Sequence, residues 1–109
     1  RFNTIKIMAN SFVTNLYLSP TQGASAQRLS VTSGAAVEFG AFDKSTNVIS
    51  FDVQTADVFM TLDGSTPSTA NGHKLYAGRA YSLSIQAARV ASFIAASGTA
   101  IVYGTEMSS

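Results

Sequence analysis

The sequence contains no cysteine and no tryptophan, a single histidine and two prolines. Without cysteine there is no disulfide framework, no thiolate metal site and no thiol nucleophile. Charge is scarce as well. Asp, Glu, Lys and Arg make up 12% of residues, against a usual share of about 25%. Seven basic residues against six acidic ones, net +1, give no electrostatic footprint for nucleic acid or an anionic membrane surface. No apolar run approaches the roughly 18 residues of a spanning helix. No charged segment leads into an apolar stretch and a small-residue cleavage site, the pattern of a secretory signal. What is present is 46% apolar residues, too many for a disordered chain. The 109 residues suit one domain, and Ser, Thr, Asn, Gly and Ala stand in for the missing charge.

The dominant hydrophobic period is two. Asn47-Val48-Ile49-Ser50-Phe51-Asp52-Val53-Gln54 puts Ile49, Phe51 and Val53 on one face and Ser50, Asp52 and Gln54 on the other, the alternation of a half-buried strand. Residues 57–62 repeat it with Val58, Met60 and Leu62. Tyr81-Ser82-Leu83-Ser84-Ile85-Gln86 repeats it without a break. Shorter strands are predicted over 28–32 and 37–39, an early one over 12–18, a further one over 4–7, and the last two over 90–95 and 100–103. Helix signal is confined to Gln86-Ala87-Ala88-Arg89, one short turn. Ser19-Pro20-Thr21-Gln22-Gly23 reads as the turn closing the first strand. Ser33-Gly34 and Ser97-Gly98 suit hairpins. Seven or eight short strands about ten residues apart argue for a sandwich or a small barrel; an all-β antiparallel sandwich, Ig-like or jelly-roll-like, is the expected fold. Residues 1–109 form a single domain on this reading, with 1–9 as an N-terminal arm. The chain begins at Arg1 while Met8-Ala9-Asn10-Ser11 reads as a translation start. Residues 1–7 are then an upstream extension or a processed end, held in place by the fold or a neighbour.

Residues 63–73, Asp-Gly-Ser-Thr-Pro-Ser-Thr-Ala-Asn-Gly-His, form the longest stretch dense in turn formers. Asp63 suits an Asx-turn on its own downstream backbone. The stretch is either a solvated connection or a contact loop for a partner. His73, the only histidine, has no second metal ligand at a recognised spacing and reads as a turn or strand-edge residue making a backbone hydrogen bond. A base in nucleophilic catalysis needs an orienting third group, and none lies near in sequence. The acids Glu38, Asp43, Asp52, Asp57, Asp63 and Glu106 read as solvent-face residues that oppose aggregation. Asp52 and Asp57, on strands adjacent in sequence, offer the alternative of a calcium pair, without a calcium-loop pattern. Gly-x-Ser-x-Gly and phosphate-loop patterns are absent. Phe39, Phe51, Tyr81 and Phe93 share a face with aliphatic residues and read as core. Phe42 and Phe59 are out of phase. Phe59 then covers a neighbouring subunit or packs under the 63–73 loop. A surface rich in Ser, Thr and Ala loses little side-chain entropy on burial, which suits a subunit packed among copies.

The stretches Asp57-Val58-Phe59-Met60-Thr61-Leu62-Asp63-Gly64-Ser65-Thr66-Pro67, Gly72-His73-Lys74-Leu75-Tyr76-Ala77-Gly78 and the Ala-rich run Ala87 to Ala100 with Phe93-Ile94 resemble small virion proteins of tailed bacteriophages. The resemblance covers roughly the C-terminal half. It implies a β-sandwich capsid decoration or cement protein that binds and stabilises the assembled head, or a neck or tail component. It also implies no catalytic residues and no cofactor. The partners implied are the major capsid protein or other virion subunits, with self-association and without nucleic acid or membrane, and the location implied is the virion, assembled in the bacterial cytoplasm. The expected contacts are Arg1, Phe2, Ile5 and Ile7 of the arm, and Phe59, Asp63, Ser65, Thr66, Pro67 and His73 at the loop. A second resemblance covers about ten residues. Phe59 to Pro67 looks like the hairpin of Ig-like accessory domains attached to chitin-degrading enzymes, which implies a carbohydrate-binding module using exposed Tyr17, Tyr76 or Tyr103. An enzyme built on His73 and the scattered acids is the third reading.

Overall fold

The residues that alternate apolar and polar in sequence alternate buried and exposed in space. In the computed structural model, which describes residues 18–23 and 26–108, Val48–Gln54 is a strand with Ile49, Phe51 and Val53 inward. In order, the elements are β1 (Ser19–Pro20), β2 (Gln27–Thr32), β3 (Val37–Glu38), β4 (Val48–Gln54), β5 (Val58–Thr61), β6 (His73–Leu75), β7 (Ala80–Ser84), α1 (Ile85–Val90), β8 (Ser92–Ala95) and β9 (Thr99–Ser108). Two antiparallel sheets pack face to face. One has the order β1-β9-β4-β7 with β2 also on β9, and the other runs β3-β8-β5-β6. The chain is an all-β antiparallel sandwich, with nine strands rather than seven or eight.

The core lies between the sheets. Val31, Ile49, Phe51, Val53, Ala100 and Val102 face Val58, Met60, Leu75, Phe93 and Ala95. Each large side chain buried this way contributes about 1.5–3 kcal/mol. Phe51 from one sheet and Phe93 from the other meet Phe39 in a triangle of edge-on rings. The centroids are 5.6, 5.2 and 5.7 Å apart, the offset geometry aromatic quadrupoles favour. Tyr81 stacks against Phe51. Phe42 leaves the strand phase but rests on Phe39, with centroids 5.8 Å apart.

Several local expectations change once the sheets are assembled. β2 and β3 lie in different sheets, as do β8 and β9. Ser33-Gly34 and Ser97-Gly98 are therefore crossings between layers and not hairpins. Among the described residues, β5 and β6 are the only strands consecutive in the chain that pair with each other. Ser19-Pro20 is not part of a turn; it pairs with Ser108 and Met107, an edge position where proline's missing donor costs nothing. The predicted strand at 90–95 loses its start to a helix. Ser84 caps α1, accepting from the Ala87 amide at 3.3 Å, and Val90 ends in the helix, exposed. The cap and the alanines at 87 and 88 outweigh the strand preference of one Val. The helix carries the chain from the edge of one sheet to the other, burying Ile85 and Ala88.

β9 runs to Ser108, five residues beyond the predicted end at 103. Its inward row is Ala100, Val102, Gly104 and Glu106. Gly104 makes room for Ile49: a Cβ there would sit 2.8 Å from Ile49 Cδ1, and that side chain would have to shift. The predicted strands over 4–7 and 12–17, and the arm at 1–9, lie outside the described residues.

Candidate functional site

The 63–73 loop joins β5 to β6 and is built by its own short-range hydrogen bonds. Asp63 Oδ1 accepts from the Ser65 amide at 3.0 Å and from Ser65 Oγ at 2.6 Å. Those two donors hold the Asp63 carboxyl below the ordinary aspartate value of 3.8, because both stabilise the charged form. Thr61 Oγ1 donates to the Ser65 carbonyl at 2.6 Å. Asn71 Nδ2 reaches back to Ser65 Oγ and the Thr66 carbonyl. Ser68 and Asn71 exchange backbone hydrogen bonds at 2.9 and 3.1 Å. Pro67 is fully buried. Gly72 closes the loop with φ +153°, and a Cβ there would lie 3.1 Å from the Met60 carbonyl oxygen. No other residue suits that backbone and that approach.

The six expected loop contacts thus divide. Thr66 and His73 are exposed, Ser65 is half-buried, and Asp63 is exposed with its carboxylate already engaged by Ser65. Phe59 is half-buried, its Cβ against the Gly72 end of the loop. Pro67 corrects an expectation. Buried beneath the loop, it shapes the tip and has no surface for a partner. His73 stands on edge strand β6 opposite Met60. With Asp63 and Asn71 it lines an open groove of about 330 Å³. The Ser65 hydroxyl is spent on Asp63, so this groove presents fixed donors and acceptors and an exposed imidazole. Arg1, Phe2, Ile5, Ile7 and Tyr17 lie outside the described residues.

Two readings of the acids are overturned. Asp52 lies within β4 of one sheet, whereas Asp57 sits in the link just before β5 of the other. Asp57 is engaged elsewhere, accepting from the Ala77 amide at 2.8 Å and pairing with Lys74 at 3.7 Å. Among the described residues no group of three His, Cys, Asp or Glu could hold a metal ion. Glu106, expected on the solvent face, is 5% exposed. Its Oε1 accepts from Thr46 Oγ1 at 2.6 Å and the Asp43 amide at 2.9 Å. Gln27 Nε2 reaches Oε2 at 3.3 Å, while Gln27 Oε1 takes the Gly40 amide at 3.0 Å. Thr21 adds a hydroxyl contact to Thr46. This polar knot ties residues 40–46 to β9, and buried carboxylates need such partners. Counting on by twos from Ala100 and Val102 reaches Glu106, so the inward phase was a signal for it.

On the outer face of the larger sheet, β-register aligns Arg28, Tyr103, Asp52 and Ala80 in one row. Around them stand small hydroxyl residues, Ser30, Ser50, Ser82 and Thr105. No protein-family model, curated protein or solved structure matches this chain.

Proposed function

We propose that the chain is a structural subunit of a tailed-bacteriophage virion, acting as a capsid decoration protein that binds and stabilises the assembled head. Its partners are the major capsid protein and further copies of itself. The observation that carries this reading is the loop between β5 and β6. It holds one shape through its own hydrogen bonds, so docking it costs little ordering entropy. The residues of the phage resemblance, Asp63-Gly64-Ser65-Thr66-Pro67 and Gly72-His73, are the ones that build this tip. The edges β3 and β6 are short and each carries a charged residue, Glu38 and Lys74, which discourages uncontrolled strand addition, and the Ser/Thr-rich faces suit burial against neighbours. Many modest contacts repeated by lattice symmetry give avidity beyond any single one. A neck or tail subunit would use the same physics at another position in the particle.

The test is light scattering and co-sedimentation of the purified protein with emptied capsids. Binding at a copy number that matches lattice positions, lost in Thr66→Glu with the melting temperature unchanged, is the expected result. A monomer that ignores capsids overturns the reading.

A further inference from the structure

The loop at 63–73 joins two strands of the smaller sheet, and the outer face of the larger sheet belongs to the other layer. β9 runs down the middle of that face, with β2 on one side and β4 on the other. The side chains that β9 turns outward are Thr99, Ile101, Tyr103, Thr105 and Met107, none of them charged. Ile101 and Met107 are half-buried, while Tyr103 is 45% exposed although it projects from the centre of a sheet. Among the outward residues of β2, β4, β7 and β9, charge is carried by two alone, Arg28 on β2 and Asp52 on β4. Both stand opposite Tyr103 in register, one strand spacing of about 4.8 Å to either side of it.

Neither charge meets its opposite, since among the described residues the one ion pair is Lys74–Asp57. The Arg28 guanidinium lies 5.7 Å from the Tyr103 ring centroid, and Asp52 Oδ2 accepts from Gln54 Nε2 at 2.7 Å. Arg79, the other cation near this face, sits in the turn before edge strand β7, with its guanidinium 6.0 Å from the Tyr76 ring centroid, outside the row. The row therefore reads cation, ring, anion at even spacing. Two copies can lie face to face with their strands aligned, about either of two twofold axes. An axis across the strands sets Arg28 on Arg28 and Asp52 on Asp52. An axis along β9 reverses the row, so that Arg28 of each copy meets Asp52 of the other and Tyr103 meets Tyr103 at the centre. Only the second joins opposite charges, and the twofold repeats that pair on both flanks. It also sets Ile101 on Ile101, Met107 on Met107, and Ser30 against Gln54 of the second copy. The strands stay aligned, as in packed sheets generally. The ten residues of β9 and the width of four strands give a face of roughly 600 Å² per copy. A pair of copies then buries roughly 1,200 Å², the lower end of stable specific interfaces.

We propose that the outer face of the larger sheet docks a second copy of this chain about a twofold axis along β9, with two reciprocal Arg28–Asp52 pairs flanking Tyr103. This gives a surface and a symmetry to the self-association in the proposed role, and it rests on that part of the reading alone. A dimer that ignores capsids keeps this inference and sinks the capsid role; a monomer that binds capsids does the reverse. The experiment is sedimentation velocity of the intact chain, without capsids, over a concentration series reaching about 1 mM. The expected result is a dimer whose fraction rises with concentration. Arg28→Asp and Asp52→Arg should each weaken it about tenfold or more, because each sets like charges together twice, with melting temperatures unchanged. The chain carrying both exchanges should dimerise as the native one does. An equimolar mixture of the two single variants should form the dimer that neither forms alone, since every flank of the mixed pair again joins opposite charges. Three results overturn the proposal: a monomer at every concentration, which leaves the face to a different partner; a dimer indifferent to both single exchanges; or a mixture and a double exchange that restore nothing.

Discussion

The loop around Asp63 and the knot around Glu106 are both networks of carboxylate, hydroxyl and amide, yet they do opposite work. The loop's bonds span two to six residues of sequence and sit in solvent. They shape a tip and hold nothing distant together. The Glu106 bonds span 60, 63 and 79 residues and are withdrawn from water. They fasten the 40–46 segment and β2 to the end of β9. Local networks in water set conformation, whereas buried long-range networks set stability, because an unmet buried group bears its full desolvation cost.

Truncating each network should expose that contrast. Glu106→Ala takes the acceptor from the Asp43 amide and leaves the buried Thr46 hydroxyl only its contact with Thr21. Chemical denaturation should show a loss of about 3 kcal/mol. Asp63→Ala should move the denaturation midpoint far less, and equal losses would break the comparison. Gly72→Ala tests the place where the loop's backbone closes on β5. A Cβ would press on the Met60 backbone at a φ that L-residues avoid, so a loss of about 2 kcal/mol is expected by the same measurement. Thr46→Val keeps the volume but removes the donor to Glu106. It should lower stability by about 1 kcal/mol, and its effect should vanish in the Glu106→Ala background in a double-mutant cycle.

The smallest effect is the most local. The folded Asp63 and Asp43 carboxyls both titrate below the ordinary aspartate value, held there by the Ser65 and Ser45 hydroxyls and amides. A depressed folded value means the contribution is present above the unfolded value and fades as pH falls through the folded one. An NMR titration following the Ser65 amide should therefore turn over below pH 3.8. Ser65→Ala should raise that midpoint toward the ordinary value, while leaving Asp43 unmoved.

The same division of range explains what could be read in advance. The Asx-turn at Asp63 was legible because its donors lie two residues away. The turn of helix at 86–89 was legible too, although its capping serine and its reach to Val90 were not. The inward phases of β4, β5 and β7 followed from alternation alone. Glu106 was misplaced on the surface because its strand was ended at Tyr103. No sequence-local feature announces that Thr46, Asp43 and Gln27 will converge on it. The outer-face row of Arg28, Tyr103, Asp52 and Ala80 was equally hidden, since it needs the register of four strands.

Composition and period two by themselves determined an all-β domain with an apolar core, because alternating side chains must fall on opposite faces of a strand. They also determined the shape of the 63–73 turn, whose bonds close within a few residues. Tertiary structure alone decided which layer each strand joins. Ser33-Gly34 and Ser97-Gly98 look like hairpin turns, but the chain uses them to cross between sheets. A strand's partners are chosen by the burial of both sheets together, a sum over residues far apart in the chain.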